Sequence, residues 1–194
     1  MRTDAMDLTP SGAGYARGVV PLALPECPIE QVIRARDAST LSALHAEACG
    51  RPARLADAWL IADAEGVRAI ARSEGALRPF VADIVERHGP GLVVGSPRVR
   101  YAHRPTLSEP WMRISASGPS GLLPLILRDL DRRKGRTLRI DDHGGPFALE
   151  AEAPLANLLG YADWLDELCE GRADLAMRLV RYAAVDVDPG PDAA

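Results

Sequence analysis

The sequence lacks the segments that mark membrane, secreted and nucleotide-hydrolysing proteins. No run in its 194 residues approaches the roughly 18 consecutive apolar residues of a membrane-spanning helix. The first ten residues carry Asp4 and Asp7 and have neither the basic start nor the apolar core of a signal peptide. The pattern GxxxxGK[ST], whose backbone N–H groups cradle nucleotide phosphates, does not occur. We therefore predict a cytoplasmic chain that does not itself hydrolyse nucleotides.

Cysteines are scarce and offer no framework of covalent cross-links. Cys27, Cys49 and Cys169 are odd in number and far apart, which predicts reduced thiols rather than disulfides. His45 and Cys49 stand four residues apart, a spacing that can hold a metal on a helix. No second pair of ligands lies near them, so we interpret them as a helix face beside a buried thiol. We predict neither a metal nor another cofactor.

Lysine is almost absent, and basic residues are dense at one place only. Lys134 is the one lysine among 23 basic residues, and the formal net charge is −4. That charge gives no overall basic field, so we predict no DNA partner. The dense cluster consists of Arg128, Arg132, Arg133, Lys134, Arg136 and Arg139. Its first five members are our candidate site for contact with RNA phosphates. The alternative is solvated charge at a helix C-terminus, which the helix dipole favours.

Composition and apolar spacing divide the chain into four parts. Residues 1–26 are rich in Gly, Pro and Ala and predict a flexible N-terminal segment, and residues 186–194 predict a disordered tail. The segments 27–104 and 108–185 each predict strand, helix, strand, strand, helix, strand. That order is the split βαβ arrangement. We therefore predict an α+β protein of two tandem ferredoxin-like sandwiches joined by a polar hinge, HRPTLSEP.

Local patterns place the helices of the two segments. Apolar residues with helical spacing lead from Leu77 to His88, and Gly89 closes this helix. In the second segment Ser120 is the predicted N-cap of a helix that ends in the basic cluster. A further helix around Tyr161 is stopped by Gly171.

No pattern predicts catalysis. Asp141, Asp142 and His143 contain the groups of an acid–base site, but two glycines follow them between two strands, which is typical of a turn. The tryptophans, Trp59, Trp111 and Trp164, lie in periodic apolar patterns and predict core or domain-interface positions. We therefore expect a protein that is not an enzyme.

Three short motifs carry a family resemblance. Pro154-Leu155-Ala156, Gly160-Tyr161-Ala162 and Gly171-Arg172-Ala173 follow one another in the order and spacing of the last domain of translation elongation factor G. The entry Glu109–Arg113 is similar as well. The second segment thus resembles the fifth domain of that family.

The first segment resembles the third domain of the same family. Gly75 and Leu77 match its glycine-x-leucine helix start, and Val94–Val99 matches its closing strand. The chain departs from the family at Ala76 and Arg78, where glutamate and histidine are usual.

The resemblance implies a pair of docking domains without the GTPase domain. As members of that family do, such a pair would bind the ribosome, through RNA or protein, or a translational GTPase. The alternative is a tandem ferredoxin-like module for protein interaction or a small ligand, unrelated to translation.

Overall fold

The first sheet is built from the first half of the chain. A computed structural model describes residues 26–50, 57–103 and 106–185, so most of the two predicted terminal segments lies outside the described residues. The elements of the first half are β1 (Ile29–Ala35), α1 (Ala38–Gly50), β2 (Ala58–Asp63), β3 (Gly66–Ala71), α2 (Glu74–His88), β4 (Leu92–Val94) and β5 (Arg98–Val99). All strand pairs are antiparallel in the order β2-β3-β1-β4, and β5 extends the edge beside β1.

The second half repeats the plan. Its elements are β6 (Ala102–His103), β7 (Leu107–Gly118), α3 (Leu123–Arg132), β8 (Arg136–Asp141), β9 (Phe147–Pro154), α4 (Leu155–Leu158), α5 (Tyr161–Leu168) and β10 (Asp174–Ala184). The sheet order is β10-β7-β9-β8, with β6 beside β7. The first and last strands of each repeat are neighbours, as in a ferredoxin-like sandwich. The predicted fold class, two tandem ferredoxin-like units of α+β type, is confirmed.

Strand alternation explains why each sheet is covered on one face. In β7 the even-numbered residues Met112, Ile114 and Ala116 are buried, whereas the odd-numbered side chains are more exposed. This is the two-residue period of a strand with one packed face. The helices cover the face on which the even-numbered residues of β7 lie. The second sheet therefore has one helix-covered face and one open face.

Two local predictions were wrong. Residues 107–110, predicted as part of a hinge, are the start of β7, because Leu107 and Pro110 pair with His103 and Tyr182. Ser120 is not the N-cap of α3. Its hydroxyl donates to the Gly145 carbonyl in the β8–β9 connection, and a short 3₁₀ turn, Ser120–Leu122, leads into the helix.

The predicted helix around Tyr161 is preceded by a separate short helix. Between α4 and α5 the backbone of Gly160 takes a φ of 73°. This left-handed conformation suits glycine and turns the chain between the two helices. The Gly160 N–H then donates to Glu74 Oε2 of the first domain at 2.9 Å.

The two domains are joined by ion pairs as well as by packing. Glu74, which is buried, lies 3.6 Å from Arg78 Nη2, and Arg78 binds both carboxylate oxygens of Asp163 in α5. A bidentate guanidinium–carboxylate pair fixes orientation as well as distance. The start of α2 is therefore attached to the start of α5.

Replacing the buried acceptor should loosen this attachment. Glu74→Ala leaves the Gly160 N–H without its partner and is expected to lower the free energy of unfolding by about 1–2 kcal/mol. Urea denaturation measures the loss, and small-angle scattering should show a larger radius of gyration. Glu86→Ala, an exposed change on the same helix, is the control; equal effects of both substitutions would contradict the role of Glu74.

Candidate functional site

Helix α3 presents the basic cluster at its C-terminal end. Its apolar residues Leu123, Ile126 and Leu130 are buried against the sheet, which leaves Arg128 and Arg132 on the solvent side. Cations at a helix C-terminus interact favourably with the partial negative charge of the last carbonyls. The structure places Arg132, Arg133 and Lys134 at that end.

The chain leaves α3 through a left-handed residue. Lys134 has φ 58°, its N–H donates to the Asp131 carbonyl at 2.9 Å, and the Gly135 N–H donates to the Leu130 carbonyl at 2.8 Å. These are the two hydrogen bonds of a Schellman motif, in which glycine normally takes the left-handed place. Here lysine takes it and the glycine follows, although the left-handed conformation is costly for a residue with a side chain.

Arg133 lies in a different environment from its neighbours. Its guanidinium donates to Asp129 Oδ2 at 2.5 Å and to the Asn157 carbonyl at 2.6 Å, and the Asn157 side chain donates back to the Arg133 carbonyl. The guanidinium also lies over the rings of Tyr161 and Trp164, 5.2 and 5.9 Å from their centroids. Arg133 therefore connects the end of α3 to α4 and α5.

The other candidate residues are solvent-accessible. Arg128 and Lys134 are exposed and have no ion partner in the described part of the chain. Arg132 lies 3.5 Å from Asp129, with 75% of its side chain exposed. Arg136 is similarly exposed and lies 3.6 Å from Glu152 on the open face of the sheet. The structure thus places Arg128 and Arg132 on the solvent side of α3, Lys134 at its end and Arg136 on the open face of the sheet.

A second basic group lies on the open face, around a buried carboxylate. Glu152 is 2% exposed. Arg113 Nη2 lies 2.5 Å from its Oε1, and Arg181 Nη1 lies 2.7 Å from its Oε2. Hydrogen bonds from these two guanidinium groups hold the pKa of Glu152 down at about 2.

The sequence analysis missed the arginines of the open face as a group. Two β-bulges bring them together: register shifts between Leu179 and Arg181 in β10 and between Thr137 and Arg139 in β8. A bulge adds one residue and so reverses the face on which later side chains lie. Strict alternation would put Arg181 on the same face as Met177 and Leu179, and nothing in the local residue pattern marks the bulge.

The remaining candidates are dispersed, and Cys49, expected to be a buried thiol beside His45, is exposed. His45 Nε2 lies 2.8 Å from the Asp63 carbonyl and 3.0 Å from that of Gly66, which connects α1 to the β2–β3 turn. His143 lies beyond the end of β8 and is exposed. Within the described ranges, no group of three or more His, Cys, Asp or Glu side chains could hold a metal ion.

The tryptophans are half-buried, and Trp164 packs against the hydrophobic core. Each carries an arginine over its ring: Arg72 over Trp59, Arg133 over Trp164 and Arg181 over Trp111. An arginine over an aromatic ring gains a cation–π attraction and shields the ring from solvent. One face of each ring is therefore covered by a guanidinium group.

Comparison with known proteins finds relatives of the second domain. Residues 106–192 match the family model described as elongation factor G C-terminus. The chain resembles the C-terminal region of elongation factor G. It is 37% identical over 82 residues to Elongation factor G 2 of Anaeromyxobacter dehalogenans strain 2CP-C. That alignment covers 42% of this chain and 12% of the relative, so the similarity concerns a small part of the relative's length.

Most of the chain also has a structural counterpart. It matches the crystal structure of a Thermus thermophilus protein designated ttk003000868, with a TM-score of 0.58 and 13% sequence identity. The match covers 84% of this chain and 41% of the other. At this identity the likeness shows the fold alone, and it extends over both domains of the elongation factor G-like chain.

The Glu152 cluster should make stability depend on acid pH. The pKa of Glu152 is lower in the folded state than the ordinary 4.5, so its contribution is complete above about 4.5 and is lost as pH falls towards about 2. At neutral pH, Glu152→Gln is expected to lower the free energy of unfolding by about 3 kcal/mol, because it leaves Arg113 unpaired. Urea denaturation should show this difference shrinking below pH of about 4.5.

Glu150→Gln is the matched control for that measurement. Glu150 is two residues away on the same strand and is exposed. Its substitution should change the free energy of unfolding by less than about 0.5 kcal/mol. A difference between wild type and Glu152→Gln that does not change down to acid pH would contradict the ionic role of Glu152.

Relief of the left-handed backbone at Lys134 should stabilise the fold. Lys134→Gly is expected to raise the free energy of unfolding by about 0.5–1 kcal/mol, because glycine adopts this conformation without steric cost. Glu170 is the matched position: it ends α5 with φ 53° and the same pair of hydrogen bonds, so Glu170→Gly should stabilise similarly. A loss of stability in both variants by thermal denaturation would show this reasoning to be wrong.

Proposed function

We propose that the chain is a non-enzymatic protein of elongation factor G type that binds the ribosome, or a translational GTPase that acts on it, in the cytoplasm. The observation that carries the proposal is the match of residues 106–192 to the elongation factor G C-terminus. The second domain would make the contact, through the surface formed by Arg128, Arg132, Lys134 and Arg136. We call this surface the α3-end patch.

The difference in hydrogen bonding among the basic residues supports this surface. Arg133 is held by Asp129 and Asn157 and cannot reach outward without losing both hydrogen bonds. Arg128 and Lys134 have no such partners within the described chain, so their charges are available to an anionic partner. Contacts of this kind with RNA phosphates give affinity and position without reading sequence.

The conformation of Lys134 adds a second argument. The left-handed place in a Schellman motif is normally filled by glycine, and here the single lysine of the chain fills it. Local strain that persists in a fold often accompanies a functional side chain. We infer that the exposed lysine side chain is available for contact with a partner.

Charge reversal at the two unpaired cations tests the proposal. Arg128→Glu with Lys134→Glu should abolish co-sedimentation with ribosomes at low salt. The matched control is Arg36→Glu with Arg98→Glu, since both arginines are exposed in the first domain and the double variant has the same net charge. The control is expected to co-sediment as wild type does.

Other outcomes would direct the function elsewhere. Recovery of the wild-type protein only in the ribosome-free fraction at low salt would contradict the proposal that it binds the ribosome. In that case, retention by a purified translational GTPase would preserve the second form of the proposal. Failure of both would favour the unrelated interaction module.

A further inference from the structure

The open face of the second sheet presents its side chains in ordered rows. Across β10, β7, β9 and β8, the register aligns four rows: Arg181, Trp111 and Pro154; Arg178, Arg113, Glu152 and Arg136; Ala176, Ser115, Glu150 and Arg139; Asp174, Ser117, Ala148 and Asp141. Neighbouring strands lie about 4.8 Å apart, so a row of four spans roughly 14 Å. A depression of about 520 Å³ lies over the small side chains of the third and fourth rows.

The charges on this face are unevenly distributed. The first three rows contain five arginines and two carboxylates, an excess of three positive charges, whereas the fourth row carries Asp141 and Asp174. Arg139 and Arg178 are exposed and have no ion partner in the described ranges. Glu152 holds Arg113 and Arg181 but leaves the group net positive. The basic end of the face is thus set against an acidic end.

We propose that this open face binds the phosphodiester backbone of RNA, across the strands and along the row that contains Arg178, Arg113 and Arg136. The arginine fork matches the geometry of phosphate oxygens. The acidic row keeps the polyanion away from the other end. The site is a different surface from the α3-end patch, and it meets that patch only at Arg136.

The chemistry of the face favours RNA over an acidic protein. Protein interfaces concentrate their affinity in buried aromatic and apolar anchors. The aromatic residue of these rows, Trp111, is covered by the guanidinium of Arg181, 5.0 Å from the ring centroid. The depression over the third and fourth rows is floored by small side chains such as Ser115 and Ala176. Affinity must therefore come from charge, which contributes most of the affinity in sequence-independent nucleic-acid binding.

The covered tryptophan also determines what kind of RNA binding to expect. RNA-binding sheets of this size read bases by stacking them on exposed aromatic rings. Trp111 is not free for stacking, and its Nε1–H, like the Nε–H of Arg113, has no hydrogen-bond acceptor within the described chain. Binding should be independent of sequence and steeply dependent on salt.

Fluorescence anisotropy with a labelled single-stranded RNA 20-mer of mixed sequence tests the assignment. Arg139→Gln with Arg178→Gln should weaken binding at least about tenfold at low salt. It should also reduce the slope of log K against log salt by about 1.4, because two phosphate contacts are lost. Arg36→Gln with Arg98→Gln, which removes the same charge from exposed positions in the first domain, should leave both quantities near wild type.

A variant that is expected to gain RNA affinity distinguishes the loss of a contact from the loss of folding. Glu150→Gln removes the exposed carboxylate between Ser115 and Arg139 and should tighten RNA binding. Equal weakening by both arginine pairs, or no response to either, would overturn the proposal. So would competition by polyglutamate as strong as that by unlabelled RNA. Because the probe is RNA alone, these outcomes are independent of whether the protein co-sediments with ribosomes.

Discussion

The second sheet depends on one buried carboxylate. Glu152 has little solvent exposure, and a guanidinium group lies on each of its carboxylate oxygens. Guanidinium groups from β7 and β10 compensate it, so the same contact that stabilises the charge also aligns three strands. A register slip of one residue would move Glu152 to the helix-covered face, where Ala151 and Ala153 now pack. The requirement to pair this charge therefore fixes which residues lie on the open face.

Arginines have two roles in this domain. The hydrogen bonds that each guanidinium group makes decide which role it has. Arg133 uses its donors on Asp129 and Asn157 and stacks on Tyr161, which fixes the end of α3. Its neighbour Lys134 is then directed outward from a defined backbone position. On the open face of the sheet, Glu152 holds Arg113 by a hydrogen bond. The neighbouring Arg178 has no ion partner in the described chain. In each case a basic residue that is held by hydrogen bonds gives rigid support. A neighbouring basic residue without an ion partner in the described chain is exposed to solvent.

The sequence predicted the sandwiches because both halves have strong, separate periods. Alternation in β7 and helical spacing in α2 follow from which residues are apolar, and burial confirms both. The sequence could not predict the open face, since bulges in β8 and β10 shift Arg139 and Arg181 by one place. Nor could it separate Arg133 from Arg132, because their different roles depend on Asn157, which is distant in the chain. Tertiary hydrogen bonding made that distinction.

The contact between the domains gives the start of α2 a physical role. Arg78 binds Asp163 of the second domain. Glu74, one turn earlier, accepts the N–H that the Gly160 turn leaves free. A helix start that is engaged with the neighbouring domain has fewer groups to offer a separate partner. Both proposals accordingly assign recognition to the basic surfaces of the second domain.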